Sequence, residues 1–396
     1  MINRIVIAAV WLWLAGASGH AQTGGLDFVY LYRADDAAYQ TRRAYTGLLL
    51  HRSHRPLEGA KLAVRDSRMI GSALGLTFNL VEREIAPEAS AVDAIGAVRA
   101  ENAASIFLLD LPLEDVVVAA RHFRDADGLI LLNVRHRDDR LRGEDCSPAL
   151  LHVVPSDSML ADALAQHLSK LDWRRILLLA GEGPRDRAVA DAFEAAAEKF
   201  RLDIVERRPF ILSNDPRQRE QNNTLLLTGG ASYDVVYLAD SEGEFGRYLP
   251  FATYLPRPVV GSEGLVAGAW HWTLERYGAP QLNQRFDKLS GRRMTDADWA
   301  GWAAVRGIVE AVVRAKTTDG ARLRSFLADD GFSFDMYKGM PGNFRPWNGQ
   351  LRQPILLHTE RAVITVAPVE GFLHHRNTLD SLGKDAATSG CNLTAN

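Results

Sequence analysis

Residues 176–200 read Ile-Leu-Leu-Leu-Ala-Gly-Glu-Gly-Pro-Arg-Asp-Arg-Ala-Val-Ala-Asp-Ala-Phe-Glu-Ala-Ala-Ala-Glu-Lys-Phe, and this stretch decides the fold. Ile176 to Ala180 is an apolar run of buried-strand length. The six residues Gly181 to Asp186 make a tight turn. From Asp186 to Phe200 the residues Val189, Phe193, Ala196 and Phe200 fall on one helical face. Strand, turn and amphipathic helix form one βα unit, and a succession of such units builds parallel sheets covered by helices.

The alternation continues outward in both directions. Toward the N-terminus the pattern predicts strands at Leu26–Tyr32, Leu76–Val81, Ser105–Leu109, Leu129–Asn133 and Leu151–Val154. Between them it predicts helices at Tyr39–Ser53, Leu57–Met69, Ala89–Ala100 and Leu113–Arg124, the last begun by Pro112. Residues 135–145 are dense in charge and lack periodicity, so they read as a surface loop, and Ser156-Asp157 reads as the cap of a helix to Lys170. Toward the C-terminus, Asp203–Glu206 and Val235–Ala239 read as strands, with a weaker helix near Arg217–Leu227. A long helix over Asp296–Ala315 starts at a Thr295/Asp298 capping box and carries Trp299, Trp302, Val305, Val309 and Val312 on one face. Gln353–His358 and Ala362–Ala367 form a late hairpin.

Two βα blocks with a helical insertion and a late hairpin require a chain that crosses between its halves more than once. The expected division is an N-terminal lobe of residues 22–153 and 265–340, a C-terminal lobe of residues 154–264 and 341–373, and a polar tail at 374–396. Two Rossmann-like lobes of this kind leave a cleft where the carboxyl ends of their strands converge.

The composition allows this and excludes other classes. With 396 residues, 47% hydrophobic and 24% charged, at a net charge of -3, neither a disordered chain nor a basic nucleic-acid surface is indicated. Arg4, the apolar run Ile5–Ala17 and the small residues around Gly19-His20-Ala21 have the form of a secretory signal peptide over residues 1–21. Export makes an oxidising compartment the expected setting, and there the two cysteines, Cys146 and Cys391, are expected to bridge.

No catalytic signature is present: there is no G-x-x-x-x-G-K-[ST], H-E-x-x-H, paired C-x-x-C or G-x-S-x-G. The turn at 181–186 approaches a dinucleotide fingerprint, but Asp186 stands where the third glycine belongs and its carboxylate would repel a pyrophosphate. His51 with His54, and His374 with His375, lack further ligands at metal spacing and read as surface histidines. No enzyme activity, cofactor or metal is expected. What remains are polar groups at predicted strand ends: Asp110, Asn133 and Arg135 from the first block, with Glu182, Arg185, Asp240, Ser241 and Glu263 from the second. Arg135 stands out because a guanidinium can hold a carboxylate through two parallel hydrogen bonds.

Several phrases resemble the type I periplasmic solute-binding proteins of ABC importers, the leucine/isoleucine/valine-receptor kind. They are Gly59-Ala60-Lys61-Leu62-Ala63-Val64, Val154-Pro155-Ser156-Asp157 and Gly261-Ser262-Glu263-Gly264. The resemblance implies a periplasmic receptor that captures a small polar solute between two lobes and passes it to ABC permease subunits. Glu263 matches the acid that faces a ligand ammonium in that group, whereas Asp110-Leu111-Pro112 and Asn133-Val134-Arg135-His136 replace its hydroxyl-rich loops. A narrower resemblance, carried by Phe344-Arg345-Pro346-Trp347-Asn348-Gly349-Gln350-Leu351-Arg352-Gln353-Pro354 with the tail Gly371-Phe372-Leu373-His374 and Leu379-Asp380-Ser381-Leu382-Gly383, is to the branch associated with PQQ-dependent alcohol oxidation. That implies a periplasmic PQQ-dependent dehydrogenase as a further partner, or a non-transport accessory role beside it.

Overall fold

The computed structural model describes residues 24–393 except 45–46, 51–52 and 214. The expected signal peptide lies outside the described residues.

The first sheet consists of β1 (Gly24–Tyr32), β2 (Leu76–Glu84), β3 (Ile106–Asp110), β4 (Ile130–Asn133) and β5 (Leu150–His152), all parallel in the order β2-β1-β3-β4-β5. Helices α1 (Leu57–Asp66), α2 (Arg68–Leu74), α3 (Ala91–Asn102) and α4 (Leu113–His122) connect these strands. β3 and β4 are buried along their whole length, as expected of central strands covered on both faces. After α5 (Asp157–Lys170) the second parallel sheet comprises β6 (Arg175–Gly181), β7 (Asp203–Phe210), β8 (Val235–Ala239) and β9 (Val259–Gly261), ordered β7-β6-β8-β9. It carries α6 (Pro184–Phe200), α7 (Pro216–Glu220) and α8 (Thr224–Thr228). The chain then returns through β10 (Val266–Gly268) to α9 (Ala279–Ser290), α10 (Asp296–Ala315) and α11 (Gly320–Leu327), and ends with β11 (Ile355–His358) and β12 (Val363–Ala367). β10, β11 and β12 form a small antiparallel sheet, so the late hairpin is present as expected.

Two cores result. One joins β1, β3 and β4 to Trp299, Trp302, Val305 and Val309 of α10, where the tryptophan stripe packs as core. The other joins α5, α6, β6 and β8 around Phe193, which stacks on Tyr237 at 3.6 Å between ring centroids. The α10 capping box forms as expected, and Ser156 caps α5.

The helix expected over Tyr39–Ser53 is absent among the described residues. After a short turn at Ala37–Tyr39 the chain pairs Arg43 with Leu49 in an antiparallel bridge, and Gly47 sits at φ 77° between them. The apolar spacing there imitated a helical face. The backbone instead turns back, and Tyr39 is spent on the site described below.

The crossings between the two halves form a buried, polar junction. The Arg142 guanidinium, fully buried with no carboxylate bonded to it among the described residues, donates to Gln350 Oε1 (2.8 Å) and to the carbonyls of His136, Asp138 and Val154. Gln350 Nε2 reaches the His152 and Val154 carbonyls, Gln353 Nε2 the Val153 carbonyl, and buried Lys338 donates to Gln353 and to the Ala269 and Pro354 carbonyls.

Residues 374–393 fold back onto the body. Buried Asp380 accepts from Arg345 (2.9 Å) and Arg352 (2.8 Å), and Lys199 binds Asp162 together with the Ser381 and Gly383 carbonyls. Further on, Ser389 donates to the Arg142 carbonyl, and Cys391 forms a disulfide with Cys146, 245 positions away. Closing so long a loop restricts the unfolded chain strongly. Cys146→Ser should therefore lower unfolding free energy by about 3–5 kcal/mol in the chain-entropy account. Denaturant titration checks this, and reductant should bring the wild type to the variant's midpoint.

Candidate functional site

The candidate residues lie at the carboxyl ends of the parallel strands. On the first sheet, Asp110 ends β3 and is completely buried. It accepts from Tyr30 Oη (2.7 Å), Tyr39 Oη (2.5 Å) and Arg55 Nη1 (2.7 Å), with Arg135 Nη1 at 3.6 Å. Arg135 holds a carboxylate as its chemistry suggested, but that carboxylate is the protein's own. Its Nη1 and Nη2 lie 2.5 and 3.2 Å from the two oxygens of Asp36. Burial raises the Asp36 pKa, but the hydrogen bonds from Arg135 and from the Ala38 amide outweigh it and hold the carboxyl below its ordinary value. Arg55 and Arg135 both lie over the Tyr39 ring, at 4.0 and 5.0 Å from its centre.

Asn133 ends β4 and shapes the loop that aims Arg135. Its Oδ1 accepts from the Arg135 and His136 amides, and its Nδ2 donates to the His136 carbonyl and meets His152 Nδ1 at 3.1 Å. His136 is held by the Leu111 carbonyl, 2.6 Å from Nε2, which ties the β4 loop to the β3 loop. Burial, aided by Arg135 and Arg142, pulls its pKa down to about 4.

On the second sheet, the loops after β6 and β8 are joined by Asp186, whose Oδ1 accepts from the Ser241 amide at 2.6 Å. Its carboxylate lies over Gly181, filling space that a nucleotide phosphate would need. Arg185 is bound to Asp157 in the first turn of α5, with 2.6 Å between Nη2 and Oδ1. Asp240 is buried and accepts from the Gly243 and Gly246 amides. Burial raises its pKa despite those amides, and Asp186 adds to the rise.

Glu263 is carried by a turn that only glycines allow. Gly261 (φ 108°) and Gly264 (φ 73°) would place a Cβ 2.3 Å from the Leu238 carbonyl oxygen and 2.1 Å from that of Val259. The Ser262 hydroxyl between them accepts from the Asp240 amide. Glu263 is half-buried and makes no hydrogen bond or ion pair among the described residues. Burial raises its pKa, with Asp240 and Glu360 acting in the same direction. The exposed Ser241 hydroxyl is also uncommitted among the described residues.

The two sets of strand ends face each other: Arg42, beyond β1, forms an ion pair with Glu242, beyond β8. Asp139 binds the Ser158 hydroxyl at 2.6 Å and its amide at 3.0 Å. Two open surface cavities of about 450 and 470 Å³ lie elsewhere, against α9, α10 and the β11–β12 turn, and include none of these residues. No group of three or more His, Cys, Asp or Glu among the described residues is arranged to hold a metal ion.

Asp110, Asn133 and Arg135 are thus brought into one network, and Asp240, Ser241 and Glu263 into another. Asp36, Tyr30, Tyr39, Arg55, Asp157 and Glu242 are partners that sequence reasoning missed. No local signal marks them, since Asp36 and Arg135 are 99 positions apart and meet only through the sheet order.

The sequence matches no family model and no curated protein. Solved structures resemble the fold throughout. A branched-chain amino acid ABC transporter periplasmic ligand-binding protein from Burkholderia xenovorans superposes with a TM-score of 0.70 at 12% identity, over 92% of this chain and 98% of that one. An ABC-transporter solute-binding protein from R. palustris, in complex with benzoate, gives 0.65 at 15% identity, over 93% and 99%. A branched-chain amino acid transporter substrate-binding protein from Streptococcus pneumoniae, in complex with isoleucine, gives 0.62 at 15% identity, over 87% and 99%. The fold is that of the two-lobed type I periplasmic binding proteins.

The histidine at the centre of the first network sets a pH dependence. His136 titrates near 6.5 in an unfolded chain and at about 4 when folded. Its contribution to stability is therefore complete above about pH 6.5 and is lost as pH falls toward about 4. His152 and His271 are shifted in the same direction. Urea unfolding across this window should show stability rising with pH. His136→Gln should lower the slope by up to about 1.4 kcal/mol per pH unit.

Proposed function

We propose that this chain is a periplasmic receptor that captures a small polar solute between its two lobes and presents it to the permease of an ABC importer. The observation that carries the reading is the meeting of two sets of strand ends, bridged by Arg42 and Glu242, in a fold shared over most of the chain with solute-binding proteins. Parallel α/β sheets place ligands in the crevice beyond their carboxyl ends. Lobe closure there excludes water and strengthens the few polar contacts made. The lobes follow the division 22–153 with 265–340 and 154–264 with 341–373.

Among the site residues, Glu263 and Ser241 serve as direct contacts, because their polar groups are uncommitted. Asp110, Asn133, Arg135 and Asp240 form the wall and fix its shape. A link to PQQ-dependent alcohol oxidation rests on the sequence resemblance carried by 344–354, 371–374 and 379–383, of which the first and last pack against each other through Asp380. On that reading the receptor works beside a periplasmic quinoprotein dehydrogenase, either supplying an importer or as a non-transport accessory.

Mass spectrometry of solute released by denaturing freshly purified protein should find one small molecule at near-stoichiometric amount. An empty protein whose melting temperature moves with none of a panel of alcohols, amines, organic acids and amino acids would refute solute capture. Pull-down from periplasm separates the two roles: recovery of permease subunits fits import, and recovery of a dehydrogenase alone fits the accessory.

A further inference from the structure

We infer that residues 379–391 form a strap that joins the two lobes and restrains their relative motion, and that reduction of the Cys146–Cys391 disulfide releases it. The inference rests on the receptor reading above, in which the lobes move, and names a device that limits that movement.

One end of the strap is fastened to the second lobe. Leu382 is buried in the core that α5 and α6 share with β6 and β8. On either side of it, the Gly383 amide donates to Asp162 of α5 at 2.6 Å, and the Ser381 hydroxyl lies 3.2 Å from Gln166 Nε2. Lys199 of α6 donates to the Ser381 and Gly383 carbonyls, 3.1 Å from each. The other end is fastened to the first lobe. Cys391 is bonded to Cys146, a partly exposed residue shortly before β5. The neighbours of Cys146 are pinned to α4, because Ser147 donates to the Ala120 carbonyl at 2.7 Å and Arg121 donates to Asp145 at 3.1 Å.

Two anchors on one lobe would add stability alone, whereas anchors on two lobes also limit how far those lobes separate. Gly383 and Cys391 are eight positions apart, so the covalent path between them spans at most about 29 Å. Part of that reach is wound up in a turn. Asp385 Oδ1 accepts from the Ala387 and Thr388 amides, and the Asp385 carbonyl accepts from the Ser389 amide at 2.9 Å. The strap therefore carries slack that a lobe movement draws out until the chain is taut. With the disulfide broken, Ser389 still donates to the Arg142 carbonyl and the Leu393 amide to that of Trp347, but these bonds exchange with water and set no limit of reach. A dithiol breaks the bridge by exchange: one thiolate bonds to one cysteine sulfur and expels the other, and the second thiolate then displaces the first. Cys146 and Cys391 thereby gain two electrons and two protons, and the reagent closes as a cyclic disulfide.

Distances between spin labels on the two lobes test this. Labels carried by non-cysteine residues at exposed Met69 on α2 and exposed Leu226 on α8 leave the disulfide untouched. Wild type should give a narrow distance distribution. Wild type treated with dithiothreitol, and C146S/C391S, should each give one wider by about 5 Å or more. A second variant separates restraint from loss of stability: six Gly and Ser residues inserted between Ala386 and Ala387 keep the disulfide and both anchors while adding up to about 20 Å of reach. Its distribution should widen in the same way while its cysteines stay unreactive to alkylation. Unchanged distributions, or widening without the disulfide but not with the insertion, would overturn the inference while leaving solute capture intact. An empty protein that responds to none of the solute panel would instead remove the reading on which the inference rests.

Discussion

The structure depends on burying one charge where the chain crosses between its halves. Arg142 is fully enclosed and has no carboxylate bonded to it among the described residues, a costly arrangement unless its donors are satisfied. They are satisfied by one side-chain amide and three carbonyls drawn from the β4 loop, the first crossing and the strand entering the last crossing. Burial lowers its pKa to about 10, so it stays charged at neutral pH and its hydrogen bonds are the strong, charge-assisted kind. A second buried basic side chain, Lys338, whose pKa burial pulls well below its ordinary value, joins the remaining crossing segments through Gln353 and the Ala269 carbonyl. Together these buried hydrogen bonds fix the geometry of the junction.

The same network positions the candidate site. The His136 carbonyl accepts from both Arg142 and Asn133, so the loop presenting Arg135 is fastened to the crossing at one atom. His136 in turn ties that loop to the one following Asp110. The first wall is therefore rigid by construction, and its pairing of two arginines with two aspartates follows from where β1, β3 and β4 bring their carboxyl ends.

Periodicity made most of the fold legible: the βα alternation, the α10 capping box, the Ser156 cap and the late hairpin are local patterns, and local patterns survive folding. The segment after β1 did not follow this rule. Its spacing suited a helix, but a glycine at positive φ and the demand for Tyr39 at Asp110 turned it into a loop. The site was half legible. Arg135 announced that it would hold a carboxylate, yet the choice between a guest and Asp36 is made by sheet order, which no neighbouring residue encodes. The tail is another such case: its composition is polar, but Asp380 is buried because Arg345 and Arg352 arrive from the last crossing.

Rigidity is unevenly distributed, and this bears on how the lobes move. At the rim the halves are joined by an ion pair with Arg42 and Glu242 side chains 53% and 31% exposed, and exposed pairs contribute about 0–1 kcal/mol. Near the crossings the contacts are buried and multiple, and the tail adds a covalent strap from the second core, through Leu382 and Gly383, to Cys146 beside β5. On the proposed receptor reading, lobes joined by buried contacts at their crossings would open by bending there rather than by sliding. On that reading the bias toward closure comes from the captured solute, because a guest shifts such an equilibrium only by its differential contacts with the two states.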